Sequence, residues 1–220
     1  SWSISGKCIM ATFEEQIEGL TGLAITASSN PTQDELTQFI IDGITDVTYR
    51  CIKANPSEKG NFTRDSGLQT ANGLDVNSAD IITVLREDGV SAGNFRPCRR
   101  IGISDQYMVT DSTSLKYASN YSPAWMLDEN GKVSVFPDPA PSPAGNGYKV
   151  YYVNNDHDYV DYDSENISYF PNDKVYLVMI FAAIKALEAK MAEFAITEED
   201  VELVQGIQVR LKSNMMMRIY

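Results

Sequence analysis

One histidine in 220 residues, three cysteines, and 18 cationic side chains against 30 anionic ones are the shortages that bound this sequence most tightly. The lone His157 leaves a single imidazole for proton transfer or metal ligation. Its polar surroundings, residues 154–163, read it as a solvated loop residue. Cys8, Cys51 and Cys98 are odd in number and widely spaced. They form neither a zinc pattern nor a disulfide framework, and their usage fits small buried thiols in a reducing compartment. The sequons at Asn61, Asn120 and Asn166 then read as chance matches. Phosphate-cradling glycine motifs are missing from the sequence as well. Long apolar runs are also missing: the longest, residues 175–184, is about half of what a bilayer needs, so a soluble chain with no membrane partner is expected. Residues 1–9 lack the pattern of a signal peptide. Met10 reads as a natural start, leaving 1–9 as an added or upstream segment.

The scarcity of cations gives a formal net charge of -12. A wholesale nucleic-acid binder displaces counterions from phosphate with surplus Lys and Arg, and this chain carries the opposite sign. An anionic membrane surface is disfavoured for the same reason. A conduit through which DNA slides is not disfavoured, because an acidic lining repels the phosphate backbone and discourages sticking.

What is present falls into three zones of different period. Up to about residue 54 the pattern is helical. Thr12 with Glu15, and Thr32 with Glu35, are spaced as capping boxes, and Leu36, Phe39, Ile40, Gly43, Val47 and Cys51 share one helical face. Pro31 and Pro56 bracket this helix at roughly 33–53. Residues 55–79 are polar and turn-rich. Strand patterns follow at 81–85, 98–103, around Val133 and Val135 after the Asn130-Gly131 turn, and at 148–153. Residues 104–111 and 113–117 read as short helical turns, and Pro137, Pro139, Pro141 and Pro143 mark an extended loop. From 174 to about 195 an alanine-rich helix is apolar nearly all round and is expected to be contacted from several sides. A last helix opens at Thr197 with Val201, Val204, Leu211 and Met215 on one stripe. The expected fold is α+β: a helical bundle from the N- and C-terminal helices (10–79 and 155–220) with an antiparallel β-rich insertion at 80–154 in the middle.

Candidates for chemistry are few. Asp156, Asp158, Asp161, Asp163 and Glu165 supply hard oxygen ligands, but their spacing departs from the calcium-loop pattern, and a solvated charge run is the plainer reading. The expectation is therefore no catalytic residue, no cofactor and no metal. Two features point instead to interfaces. Arg96, Arg99 and Arg100 form the one dense basic cluster, suited to a carboxylate-rich partner or to pairing with acids of the same chain. Met215, Met216 and Met217, with Arg218 and Tyr220, make an adaptable apolar end suited to docking.

The order of these features resembles the adaptor proteins of tailed-bacteriophage head-to-tail connectors, of the short-tailed phage type. Three stretches carry the resemblance. They are the helix following Asn30-Pro31-Thr32, the β segment with Pro123, Trp125, Asn130-Gly131 and Phe136-Pro137, and Phe170-Pro171 leading into the helix with Ala182, Ala183, Ala186 and Leu187. The resemblance implies a non-enzymatic virion structural protein in the neck, assembled in the host cytoplasm. Such a protein forms a homo-oligomeric ring, usually a dodecamer, beneath the portal protein. It meets tail or nozzle proteins and lets DNA pass without specific binding. A C-terminal segment that embraces the portal would give Met215 to Tyr220 a role. Three other readings stay open. One is another tail, neck or capsid-associated structural protein. A second is a ligand-binding module using Tyr121, Trp125, Tyr148, Tyr151 and Tyr152 as an aromatic platform. A hydrolase using the 156–163 carboxylates is the remaining alternative.

Overall fold

A computed structural model of the chain describes residues 11–155, 157 and 159–197. Asp156, Asp158, Met215, Met216, Met217, Arg218, Tyr220 and the expected last helix lie outside the described residues. The described α-helices are α1 (Phe13–Thr21), α2 (Gln33–Ala54), α3 (Gln106–Thr110) and α4 (Val175–Thr197). The strands are β1 (Thr63–Asp65), β2 (Ile81–Glu87), β3 (Phe95–Pro97), β4 (Arg99–Arg100), β5 (Ala124–Leu127), β6 (Val133–Phe136) and β7 (Tyr148–Val153). The chain divides into two compact units, one from Ser1–Asn61 with His157–Tyr220 and one from Phe62–Asp156.

In the helical unit both expected capping boxes are formed. Thr12 and Thr32 each accept from the backbone N–H three residues on, while Glu15 and Glu35 accept from the threonine N–H at 3.1 and 2.8 Å. Each cap stabilises its helix start by about 1 kcal/mol. α1 stops at Gly22, whose φ of +74° a side chain would resist. α2 buries Leu36, Ile40, Gly43, Ile44 and Val47 on one stripe, and α4 packs against both α1 and α2. A methyl group at Gly43 would stand 3.1 Å from Phe181 and 3.2 Å from Val178, so glycine sets how closely α2 and α4 approach.

The other unit holds two sheets. One is four-stranded and antiparallel in the order β1-β7-β2-β3, and the other is three-stranded in the order β4-β5-β6. Strands β4 and β5 run parallel. Val84, Trp125, Val133, Val135, Tyr148 and Val150 form one core, while Val109, Ala118, Ala124, Met126 and Phe136 form a second. The single return strand expected at 98–103 is two short strands in different sheets. The Cys98 N–H donates to Val84 O (2.8 Å), and the next N–H, of Arg99, donates to Pro123 O (3.0 Å).

The expected arrangement, a bundle of terminal helices flanking one antiparallel insertion, is corrected by these findings. The fold is α+β, but strands are spread from Thr63 to Val153 with α3 among them. They make two sheets rather than one, and one sheet carries a parallel pair. Residues 62–79, placed by their polarity with the helices, belong to the unit that holds the sheets. The physical reason is that strand pairing is non-local. Thr63-Arg64-Asp65 has no apolar alternation of its own and becomes a strand because Tyr151–Val153 offers it an open edge.

Candidate functional site

The three arginines named from the sequence lie where the two sheets meet in sequence, and none forms an ion pair with a carboxylate among the described residues. They work through aromatic rings and carbonyl oxygens instead. The Arg96 guanidinium lies 5.1 Å from the ring centre of Tyr121, and that of Arg100 lies 5.3 Å from Trp125. Arg99 donates to the carbonyls of Lys116 and Tyr117. Each cation–ring contact is worth about 0.5–1 kcal/mol at a surface. Arg96 also helps to hold the Asp88 carboxyl below its ordinary range, after the larger effects of the Ser91 and Val90 N–H groups.

Around these arginines the chain leaves large apolar side chains in water. Val109 and Ala118 anchor α3 and the loop after it to the second core. Ile103, Tyr107 (66% exposed), Leu115, Tyr117 and Tyr121 (77% exposed) remain outside. Ile103 and Tyr107 line one shallow cleft with Gln106 and Thr110. Within residues 95–125, Arg96, Arg99, Arg100 and Lys116 face only Asp105 and Asp111, so this stretch is cationic in an acidic chain.

Arg86 holds this surface in place. It is 1% exposed, and its five N–H donors are all used. Nε donates to Pro137 O (2.8 Å), Nη1 to Glu87 O (2.7 Å) and Asn120 Oδ1 (3.1 Å), and Nη2 to Asp138 O (3.4 Å) and Asn146 Oδ1 (3.3 Å). Burial pulls its pKa down, with Cys98, Glu87 and Asp138 opposing. The buried Glu87 carboxylate accepts from the N–H groups of Gly93 (2.8 Å) and Gly147 (2.7 Å). Through Asn120, Arg86 fixes the residue beside Tyr121. Through Pro137, Asp138 and Asn146 it fixes the proline-rich loop. No motif marks Arg86 in the sequence. The only signal was a charged pair, Arg86-Glu87, closing an otherwise apolar strand.

The helical unit carries the opposite charge at one end. Ser164 and Tyr162 carbonyls take the first N–H groups of α1, from Phe13 and Glu14, at 2.9 Å each. Gln33 of α2 donates to Glu14 (2.8 Å), and Tyr162 N–H donates to Thr37 Oγ1 (3.1 Å). These bonds gather Glu14, Glu15, Asp34, Glu35, Asp161, Asp163 and Glu165 into one pole. No Lys or Arg occurs between Lys7 and Arg50 or between Lys149 and Lys174, so the segments that build the pole bring no cation. The positive ends of α1 and α2 offset part of this charge.

The other sequence candidates fall elsewhere. His157, expected in solvent, is buried, with its carbonyl accepting from Val160 N–H (2.9 Å) and its ring edge-on to Tyr159. Trp125 and Tyr148 are core residues, so they do not join exposed Tyr121 in an open platform. Asp161 is occupied locally, accepting from Asp163 N–H and the Ser164 hydroxyl. Among the described residues no group of three His, Cys, Asp or Glu is placed to hold a metal ion. No helix there is long and apolar enough to cross a membrane. A cleft of about 270 Å³ beside Val47, Cys51, Ala54 and Leu177 is rimmed by the Asp46–Arg50 ion pair (2.8 Å). No protein-family model matches the chain, and no curated protein matches it.

Proposed function

We propose that the chain is a virion structural protein, the adaptor ring of a phage head-to-tail connector. In this reading it docks under the portal, joins it to tail or nozzle proteins and extends the DNA channel. The bundle-with-insertion outline no longer supports the reading, since the fold departs from it. One observation carries it now: a cationic stretch, with Arg96 and Arg100 beside aromatic rings and Arg99 on two carbonyls, stands in a chain whose charge is otherwise strongly negative. Opposite charges concentrated in different segments of one polypeptide favour association between copies and with protein partners. The net charge of -12 suits a conduit that DNA passes without being gripped.

The test is mass measurement of the purified chain by native mass spectrometry, alone and with portal rings. A closed oligomer, formed alone or on the portal, is the expected result. A strictly monomeric chain that ignores portal rings overturns the proposal, and so does hydrolytic turnover or saturable binding of a glycan.

A further inference from the structure

We propose that the cleft at the β2–β3 hairpin receives an extended, uncharged segment of another protein, which adds as a strand to the open edge of β3. This rests on the structural-protein reading above and names one way in which such a protein holds a partner. Asp88, Gly93, Asn94, Phe95 and Arg96 line the cleft, whose volume is about 370 Å³.

Three observations meet there. First, β3 ends its sheet, since the strand order is β1-β7-β2-β3. Bonds between β2 and the β3 side fall on either side of Phe95: Asp88 N–H donates to Asn94 O (3.0 Å), and Cys98 N–H donates to Val84 O (2.8 Å). Glu87, opposite Phe95, gives its own N–H to Gly147 O (2.8 Å), away from β3. The alternation of an antiparallel ladder therefore turns the Phe95 N–H and C=O outward. Outward backbone groups on an end strand are a template for a further strand. Pro97 has no N–H to offer, so the open edge centres on Phe95. Second, Arg96 Nε is buried and has no acceptor among the described residues. A buried donor in that state calls for an acceptor that the chain does not supply. Third, the cleft balances one guanidinium, Arg96, against one carboxylate, Asp88, whose Oδ1 accepts from the Val90 and Ser91 N–H groups (2.9 and 3.0 Å). An anionic ligand is repelled by Asp88 and a cationic one by Arg96, so a neutral ligand is favoured. Arg96 and the Phe95 N–H donate, while the Phe95 C=O and Asp88 accept, which suits the N–H and C=O groups of a peptide backbone. The hairpin is also held in advance. Gly93 N–H donates to Glu87 Oε1 (2.8 Å) and Gly89 N–H to Gly145 O (2.9 Å), so binding has to order mainly the incoming segment.

The experiment uses the full chain and a fluorescent, end-capped probe peptide, Ser-Val-Thr-Val-Ser, followed by fluorescence anisotropy. Saturable binding is expected. Phe95→Ala keeps the backbone edge and should bind within about threefold of the native chain, whereas Phe95→Pro removes the outward N–H and should bind at least about tenfold more weakly. Arg96→Met should weaken binding by a similar factor, and it carries the test should Phe95→Pro not fold. Probes with Glu or Lys in place of the central Thr should bind more weakly than the neutral probe. The inference is wrong if the neutral probe does not bind, if the folded Pro and Met variants bind as the native chain does, or if a charged probe binds better. In each of those cases a closed oligomer, formed alone or on portal rings, leaves the wider reading standing. Loss of self-association in Phe95→Pro would assign the edge to a second copy and overturn the choice of another protein.

Discussion

Replacing Arg86 by methionine removes a buried guanidinium from the centre of the unit that holds the sheets while keeping most of its aliphatic volume. Five acceptors lose their donor at once: the carbonyls of Glu87, Pro137 and Asp138, and the side-chain amide oxygens of Asn120 and Asn146. A buried acceptor left unpaired costs about 1–3 kcal/mol. The Pro137–Asp138 and Asn146 stretches lie near the surface and can recruit water, which caps the total. Taking two of the five as staying unpaired puts the loss at about 2–6 kcal/mol. Against a typical domain stability of about 5–15 kcal/mol, that is a large part of what holds the fold. The assay is urea unfolding of the full chain followed by fluorescence of Trp125, in a Trp2→Phe background so that one indole reports. Trp125 sits in the core beside Val84 and Tyr148, so its emission follows this unit. Arg86→Lys should recover less than half of the loss, because one ammonium cannot span acceptors on both sides of the strand. A loss under about 1 kcal/mol for Arg86→Met would refute the reasoning, since it would mean that the five acceptors do not depend on the arginine.

Two further outcomes follow from the packing and the buried thiol. Gly43→Leu should destabilise the helical unit by about 1–3 kcal/mol, because the side chain must enter space held by Phe181 and Val178. Gly43→Ala should be nearly neutral, its gain in helix propensity of about 1 kcal/mol offsetting the tight contact. Thermal melts by circular dichroism measure both, and a native-like melt for the leucine variant would contradict the close α2–α4 approach. Burial pushes the Cys98 thiol up from its ordinary value near 9.0 to about 12, with Arg86 opposing. The unfolded chain therefore releases a proton in that window which the folded chain keeps, and stability falls as pH rises from about 9 toward 12, by up to about 1.4 kcal/mol per unit. Below pH 9 the thiol contributes no slope. Cys98→Ala should remove this part of the alkaline loss. Parallel stability curves for the two proteins would show that the thiol titrates normally.

The sequence alone determined the start of α1, both ends of α2 and the course of α4. Thr32, Glu35 and the stripe from Leu36 to Val47 place α2 at Gln33–Ala54, against an expectation of 33–53. That was readable because capping and the 3.6-residue period are satisfied within a few residues of chain. The alanine-rich α4, the hairpin turn at Asn130-Gly131 and the burial of Val133 and Val135 were legible for the same reason. The arginine cluster was legible as a concentration of charge. Its neighbours were not. That Arg96 meets Tyr121, that Arg99 reaches the carbonyls of Lys116 and Tyr117, and that Arg100 covers Trp125 depends on residues 17–25 positions away being brought back by β5.

Tertiary structure alone decided which strand joins which sheet, that Arg86 is buried rather than exposed, and that His157 leaves solvent. It also decided that carboxylates from 14–15, 34–35 and 161–165 share one pole. The physical reason is common to all of these. Helix formation is fixed by contacts three and four residues apart, whereas strand pairing, burial of a charge and the gathering of like charges are set by partners distant in the chain. Local propensity does not record those partners. The scarcity of cations, visible from composition, acquired a location in the fold: the arginines at 96–100 belong to the unit that holds the sheets, and the acidic pole belongs to the helical unit.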